Sequence, residues 1–220
     1  MDDAFTLLRL AADLLPEEAA AESGWTAEDV RDDIGRYEWE RALDALTEIG
    51  DVHPVSVDFW ERLAEAARQM MLDRSRRWCE WRAWEVRHGT IRATLTLVAA
   101  EEGLRRTAFS GDARLRPMWD IGNRRADGER DLDIATLWVE NAADLGPGET
   151  AEIRLAPLTP ERWAHLRCGD AITMHEARPV AGTGRVIEVV APRPDPPDTP
   201  LGPVVKLPPA GRRRQFDDRP

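Results

Sequence analysis

The feature that most constrains this chain is a change of hydrophobic period near residue 89. Upstream of it, apolar residues recur every three or four positions, the spacing of one helix face. Phe5, Leu8, Ala12 and Leu15 form the first stripe, which Pro16 and Gly24 interrupt. Thr26 then stands as an N-cap with Asp29 three residues on, and Trp25 and Val30 flank it as a hydrophobic staple. Ile34, Trp39, Leu43 and Leu46 extend the stripe across a break at Gly35, with Gly50 as a C-terminal stop. A further helix is expected from about Ser56, turning Phe59, Trp60, Leu63, Ala67 and Met70 or Met71 inward.

Downstream the period is two. Ile91, Ala93, Leu95 and Leu97 alternate with Arg92, Thr94 and Thr96, the pattern of a half-buried antiparallel strand. The alternation returns in Leu132–Val139, Ala151–Leu155, Ala171–Glu176 and Arg185–Val190. Turn residues at 146–148 and 182–184 separate these runs, and one short helix is expected, with Thr159 as cap, Pro160 at its first position, and Trp163 and Leu166 inward. Many short strands spaced this way imply a closed barrel or a sandwich. Trp78, Trp81 and Trp84 recur every third position and fit neither period, which places the domain junction there. The expectation is an α+β chain of two domains: an acidic helical bundle over 1–78 and a small antiparallel β-barrel over 79–191. Residues 192–220 carry nine of the sixteen prolines and the run Arg212-Arg213-Arg214, and are expected to form a disordered tail.

Charge narrows the partners. The net charge of -11 is concentrated at the N-terminus: residues 1–78 hold 19 acidic and 9 basic side chains, against 18 and 15 in residues 79–191. An acidic field repels phosphate backbones and favours basic partners, so nucleic-acid binding by the first domain is disfavoured. The acidic start of the chain is unlike a secretory signal, and no apolar run nears the roughly 20 residues that span a bilayer. Two cysteines, Cys79 and Cys168, without paired spacing, fit a reducing, cytoplasmic setting.

Sequence motifs for catalysis are missing. There is no phosphate-binding loop, and the one lysine is Lys206. The nucleophile elbow, the zinc-hydrolase motif and the dinucleotide fingerprint are also missing, so neither an enzyme nor a nucleotide, metal or cofactor is expected. His165, Cys168 and His175 form the one cluster with metal-ligand chemistry, and ordinary core or surface placement explains them better. Acidic neighbours such as Asp32-Asp33 and Glu38–Glu40 point apart on a helix, which suits a solvated or partner-binding face better than paired acid–base groups. Most of the nine tryptophans lie on core stripes, where burial accounts for them.

The barrel's landmarks resemble the third, C-terminal domain of elongation factor Tu. That family's E-E-G turn and T-P-F segment meet Glu101-Glu102-Gly103 and Thr107-Ala108-Phe109 here, and its G-Y-R-P is echoed by Gly111 with Arg116-Pro117 across a longer gap. Its P-G-D turn meets Pro147-Gly148-Glu149, and Glu176, Gly182, Gly184 and Val186 fall in register with its closing R-E-G-G-R-T-V-G-A-G-V-V strand. The resemblance covers about residues 90–190 and implies a small antiparallel barrel. The family's GTPase and second domains have no counterpart, so its activity does not carry over. Residues 5–73 resemble the small immunity proteins of Maf toxin systems, through the segments 37–46 and 66–72.

Together these readings lead to a non-enzymatic binding protein of the immunity or antitoxin kind, whose acidic helical face meets a basic toxin domain. Glu38, Trp39, Glu40 and Asp44 are the expected contacts, with the carboxylates steering and Trp39 anchoring if exposed. The alternative is a translation-associated module that binds tRNA or a translation factor through Arg114, Arg116, Arg124, Arg125 and Arg130.

Overall fold

The structure, a computed structural model, describes residues 2–193. The proline-rich segment from 194 onward, expected to be a disordered tail, lies outside them. Five helices come first: α1 (Ala4–Ala12), α2 (Ala27–Gly35), α3 (Trp39–Val52), α4 (Val57–Gln69) and α5 (Asp73–His88). Their ends are set by local chemistry. Thr26 accepts from the amide of Asp29 while the Asp29 carboxylate accepts from the Thr26 amide, completing the capping box expected for α2. Asp3 and Ser56 cap α1 and α4 in the simpler one-way manner. Gly50 does not stop its helix. It lies inside α3 because a Cβ there would sit 2.7 Å from a Phe59 ring carbon and 2.9 Å from the Trp60 ring, so its lack of a side chain lets α4 approach.

The second half closes into a six-stranded antiparallel barrel. Its strands are β1 (Thr90–Leu97), β3 (Met118–Asp120), β4 (Asp133–Val139), β6 (Thr150–Pro157), β7 (Ala171–His175) and β8 (Val180–Val190), in the order β1-β6-β4-β3-β7-β8. A two-stranded ribbon of β2 (Phe109–Ser110) and β5 (Asp144–Leu145) lies outside it. Inward residues alternate as the period of two requires, with Ala93, Leu95, Ile153 and Leu155 fully buried across the β1–β6 pair. Trp119 and Trp163 fill the interior, the latter from a short 3₁₀ turn at Pro160–Trp163. At Gly184 a Cβ would lie 2.6 Å from the Thr94 carbonyl, so only glycine permits β8 to press this closely on β1.

The stretch around Trp78, which fits neither period in sequence, is the body of α5. This helix serves two cores at once. Cys79, Ala83 and Val86 pack into the bundle, while Trp78, Trp81 and Trp84 join Trp138 and Ala156 of the barrel in a separate cluster at the junction. A helix buried on several faces carries no clean amphipathic stripe. Among the described residues, no helix is long and apolar enough to cross a membrane.

Candidate functional site

The residues singled out from sequence occupy the corner where α2 turns into α3. Tyr37, at the turn, takes a φ of 65°, and its amide and that of Glu38 donate to the carbonyls of Ile34 and Asp33. The turn holds the Tyr37 side chain 76% exposed. A bulky residue in the left-handed region carries backbone strain, and such strain concentrates at working sites. Glu38 follows as the residue flanking α3, with its carboxylate making no cap bond.

The corner's cations are engaged elsewhere. Arg36 pairs with Asp32 at 3.3 Å, and Arg41 approaches the buried Asp33 at 3.6 Å while lying over the Trp25 ring. Glu38, Glu40 and Asp44 are exposed, and among the described residues none has an ion-pair partner. Glu40 and Asp44 stand one helical turn apart on α3. Partial burial, and then the charge of Glu40, push the Asp44 carboxyl above its ordinary range. Trp39 is half-buried, packed on the bundle core with ring centroids 6.4 Å from Phe5 and 6.3 Å from Tyr37. Its indole faces inward, so the exposed aromatic group at this corner is Tyr37, which the stripe pattern overlooked.

Asp44 also borders a polar cleft of about 360 Å³ between bundle and barrel. Asp51, Glu140 and Arg154, which also line the cleft, belong to a charge network that joins the two halves. Arg82 pairs with Asp51 at 2.9 Å and with Glu85; Arg154 pairs with Glu85 at 2.9 Å and with Glu140 at 3.0 Å; Arg92 pairs with Glu140 at 2.8 Å. Glu85 accepts a further bond from the Trp81 indole at 2.7 Å. Arg82 at 5.6 Å and Arg154 at 5.5 Å lie over the Trp78 ring, and the Trp138 ring, tilted at 49°, has its centroid 4.9 Å from that of Trp78. Burial pushes the Glu140 carboxyl up, but Arg92 and Arg154 outweigh it and hold it below the usual range. Arg77 and Asp112, at 2.6 Å, tie α5 to the loop after β2.

Of the five barrel arginines of the alternative reading, four are ion-paired. Arg124 and Arg130 both pair with Asp120, at 2.9 and 3.2 Å, Arg114 with Asp112 at 3.2 Å, and Arg125 with Asp131 at 3.7 Å. Arg116 alone of the five lacks an ion pair among the described residues. The histidines and cysteines do not converge. His165 bonds the Ile121 carbonyl, the buried His175 bonds the Arg178 carbonyl, and Cys168 is exposed. Among the described residues no group of His, Cys, Asp and Glu is arranged to hold a metal ion. Burial pushes the Cys79 thiol up to about 12, which keeps it protonated and weakly nucleophilic. No protein-family model matches the sequence, and no curated protein matches it.

Proposed function

We propose that this protein acts by stoichiometric binding and not by catalysis, as an immunity or antitoxin-like protein whose acidic corner engages a basic toxin domain. The observation that carries this reading is the set of exposed carboxylates on Glu38, Glu40 and Asp44, unpaired among the described residues, beside a Tyr37 held outward by a strained turn. Exposed charge without a partner steers an oppositely charged protein, and an adjacent aromatic group supplies the buried anchor. The resemblances of the helical half to Maf-type immunity proteins, and of the barrel to the third domain of elongation factor Tu, agree with a binding role. A reading in which the barrel binds tRNA or a translation factor has less support, because four of its five arginines are already paired with Asp112, Asp120 or Asp131 and are less free to meet phosphate.

Affinity capture from the native cells, comparing the natural chain with Glu38→Lys/Glu40→Lys/Asp44→Lys, tests the proposal. The expected result is a basic polypeptide retained in equal stoichiometry by the natural chain and lost by the variant. Equal retention by both would remove this face from consideration. Retention of tRNA, with salt-sensitive submicromolar binding in a filter assay, would favour the barrel instead.

A further inference from the structure

Accounting for the charges in the cleft between the two halves leaves an unusual remainder. Asp51 is matched by Arg82, and Glu140 and Arg154 are matched by each other and by Arg92 and Glu85. What is left is one carboxylate, Asp44 on α3, and one guanidinium, Arg74 in the first turn of α5. Among the described residues neither makes an ion pair or a side-chain hydrogen bond. The Ser75 hydroxyl and the Asn141 amide, also lining the cleft, are free in the same sense. The indoles of Trp78 and Trp138, tilted at 49° to one another, also line the cleft.

From this arrangement we infer that the cleft is a binding site for a free α-amino acid with an apolar or aromatic side chain. The ligand's ammonium meets Asp44, its carboxylate meets Arg74 with Ser75 or Asn141 in support, and its side chain meets the parts of Trp78 and Trp138 that line the cleft. Each charge of a zwitterion finds one unmatched opposite charge, whereas a purely cationic or anionic ligand leaves one of the two unanswered. Size agrees: about 360 Å³ lies at the small end of the roughly 300–1,000 Å³ spanned by small-molecule sites, which favour domain interfaces with a few convergent polar groups. The Asp44 carboxyl, raised by burial and by Glu40, gains from a nearby ammonium. This site goes beyond the partner-binding reading, since it needs no partner and is assayed on the chain alone.

Saturation-transfer NMR and calorimetry on the full chain, with L-phenylalanine and L-leucine as probes, test the inference. At least one should bind with a dissociation constant below about 1 mM. For phenylalanine, phenethylamine lacks the carboxylate and 3-phenylpropanoate lacks the ammonium; for leucine, isopentylamine and 4-methylpentanoate play the same parts. Each single-charge analogue of the binding probe should bind about tenfold more weakly or worse. Asp44→Asn should erase the discrimination against the acid, and Arg74→Gln the discrimination against the amine. Both residues are exposed, so near-UV circular dichroism should show both variants folded. Glu38→Lys, which the proposed function predicts to weaken partner capture, should leave amino-acid binding unchanged. Absence of binding by both amino acids, equal binding of the analogues, or indifference to both cleft variants would overturn the assignment.

Discussion

At the domain junction Glu85 has a side chain 4% exposed between Arg82 and Arg154, whereas at the α2–α3 corner Glu38, Glu40 and Asp44 meet solvent with no cation paired to them among the described residues. The same residue types serve opposite ends. At the junction, the carboxylates of Asp51, Glu85 and Glu140 are each paired with an arginine, because an unmatched buried charge costs several kcal/mol. At the corner, charge is left open to water, where it contributes little to stability and remains available to another molecule. The contrast separates carboxylates that hold the two halves together from carboxylates that we propose meet another molecule.

The largest test of that contrast is Glu85→Ala. It leaves Arg82 and Arg154 without their shared acid and removes the acceptor of the Trp81 indole, so urea denaturation should show a loss of about 3–5 kcal/mol. Arg77→Ala should follow, with a loss of about 1–3 kcal/mol, because Asp112 is 7% exposed and retains only its bonds to Ser110 and Arg114. By contrast, Glu38→Lys/Glu40→Lys should change stability by less than about 0.5 kcal/mol in the same assay, while abolishing partner capture. A large loss of stability in that variant would place the corner among the structural carboxylates and dissolve the comparison.

The smallest effect is also the most discriminating. Burial and Glu40 raise the folded-state affinity of Asp44 for its proton, so its favourable contribution is present below the ordinary value of 3.8 and lost as pH rises through the folded value. Asp44→Asn should therefore raise the urea midpoint at pH 7 and leave it unchanged at pH 3. A residue whose removal stabilises the fold while weakening binding is held for function.

How much of this was legible in the sequence follows the same division between local and distant causes. The Thr26–Asp29 capping box, the α1 and α4 stripes and the long alternating strands β1, β4, β6 and β7 all carry their signal within a few residues. By contrast, β2, β3 and β5 are two or three residues long, too short for any period to show. Helix α5 was hidden because it buries Cys79, Ala83 and Val86 in one core and its tryptophans in another, and Gly50 because its reason lies in Phe59 and Trp60 on the next helix. At the proposed site, charge bias in the sequence nominates the carboxylates Glu38, Glu40 and Asp44, but it does not show which side chains stand beside them. Tyr37 gains its exposure from a positive φ, and Arg74 and Trp138 reach the cleft only through the docking of barrel on bundle.

The most direct test of the central claim, that the corner carboxylates are a partner-steering face, is the association rate of the captured partner as ionic strength rises. For the natural chain the rate should fall by about tenfold or more between low and high salt, and for Glu38→Lys/Glu40→Lys/Asp44→Lys it should start low and stay nearly flat. A rate that is insensitive to salt in the natural chain, or equally sensitive in both, would contradict the claim.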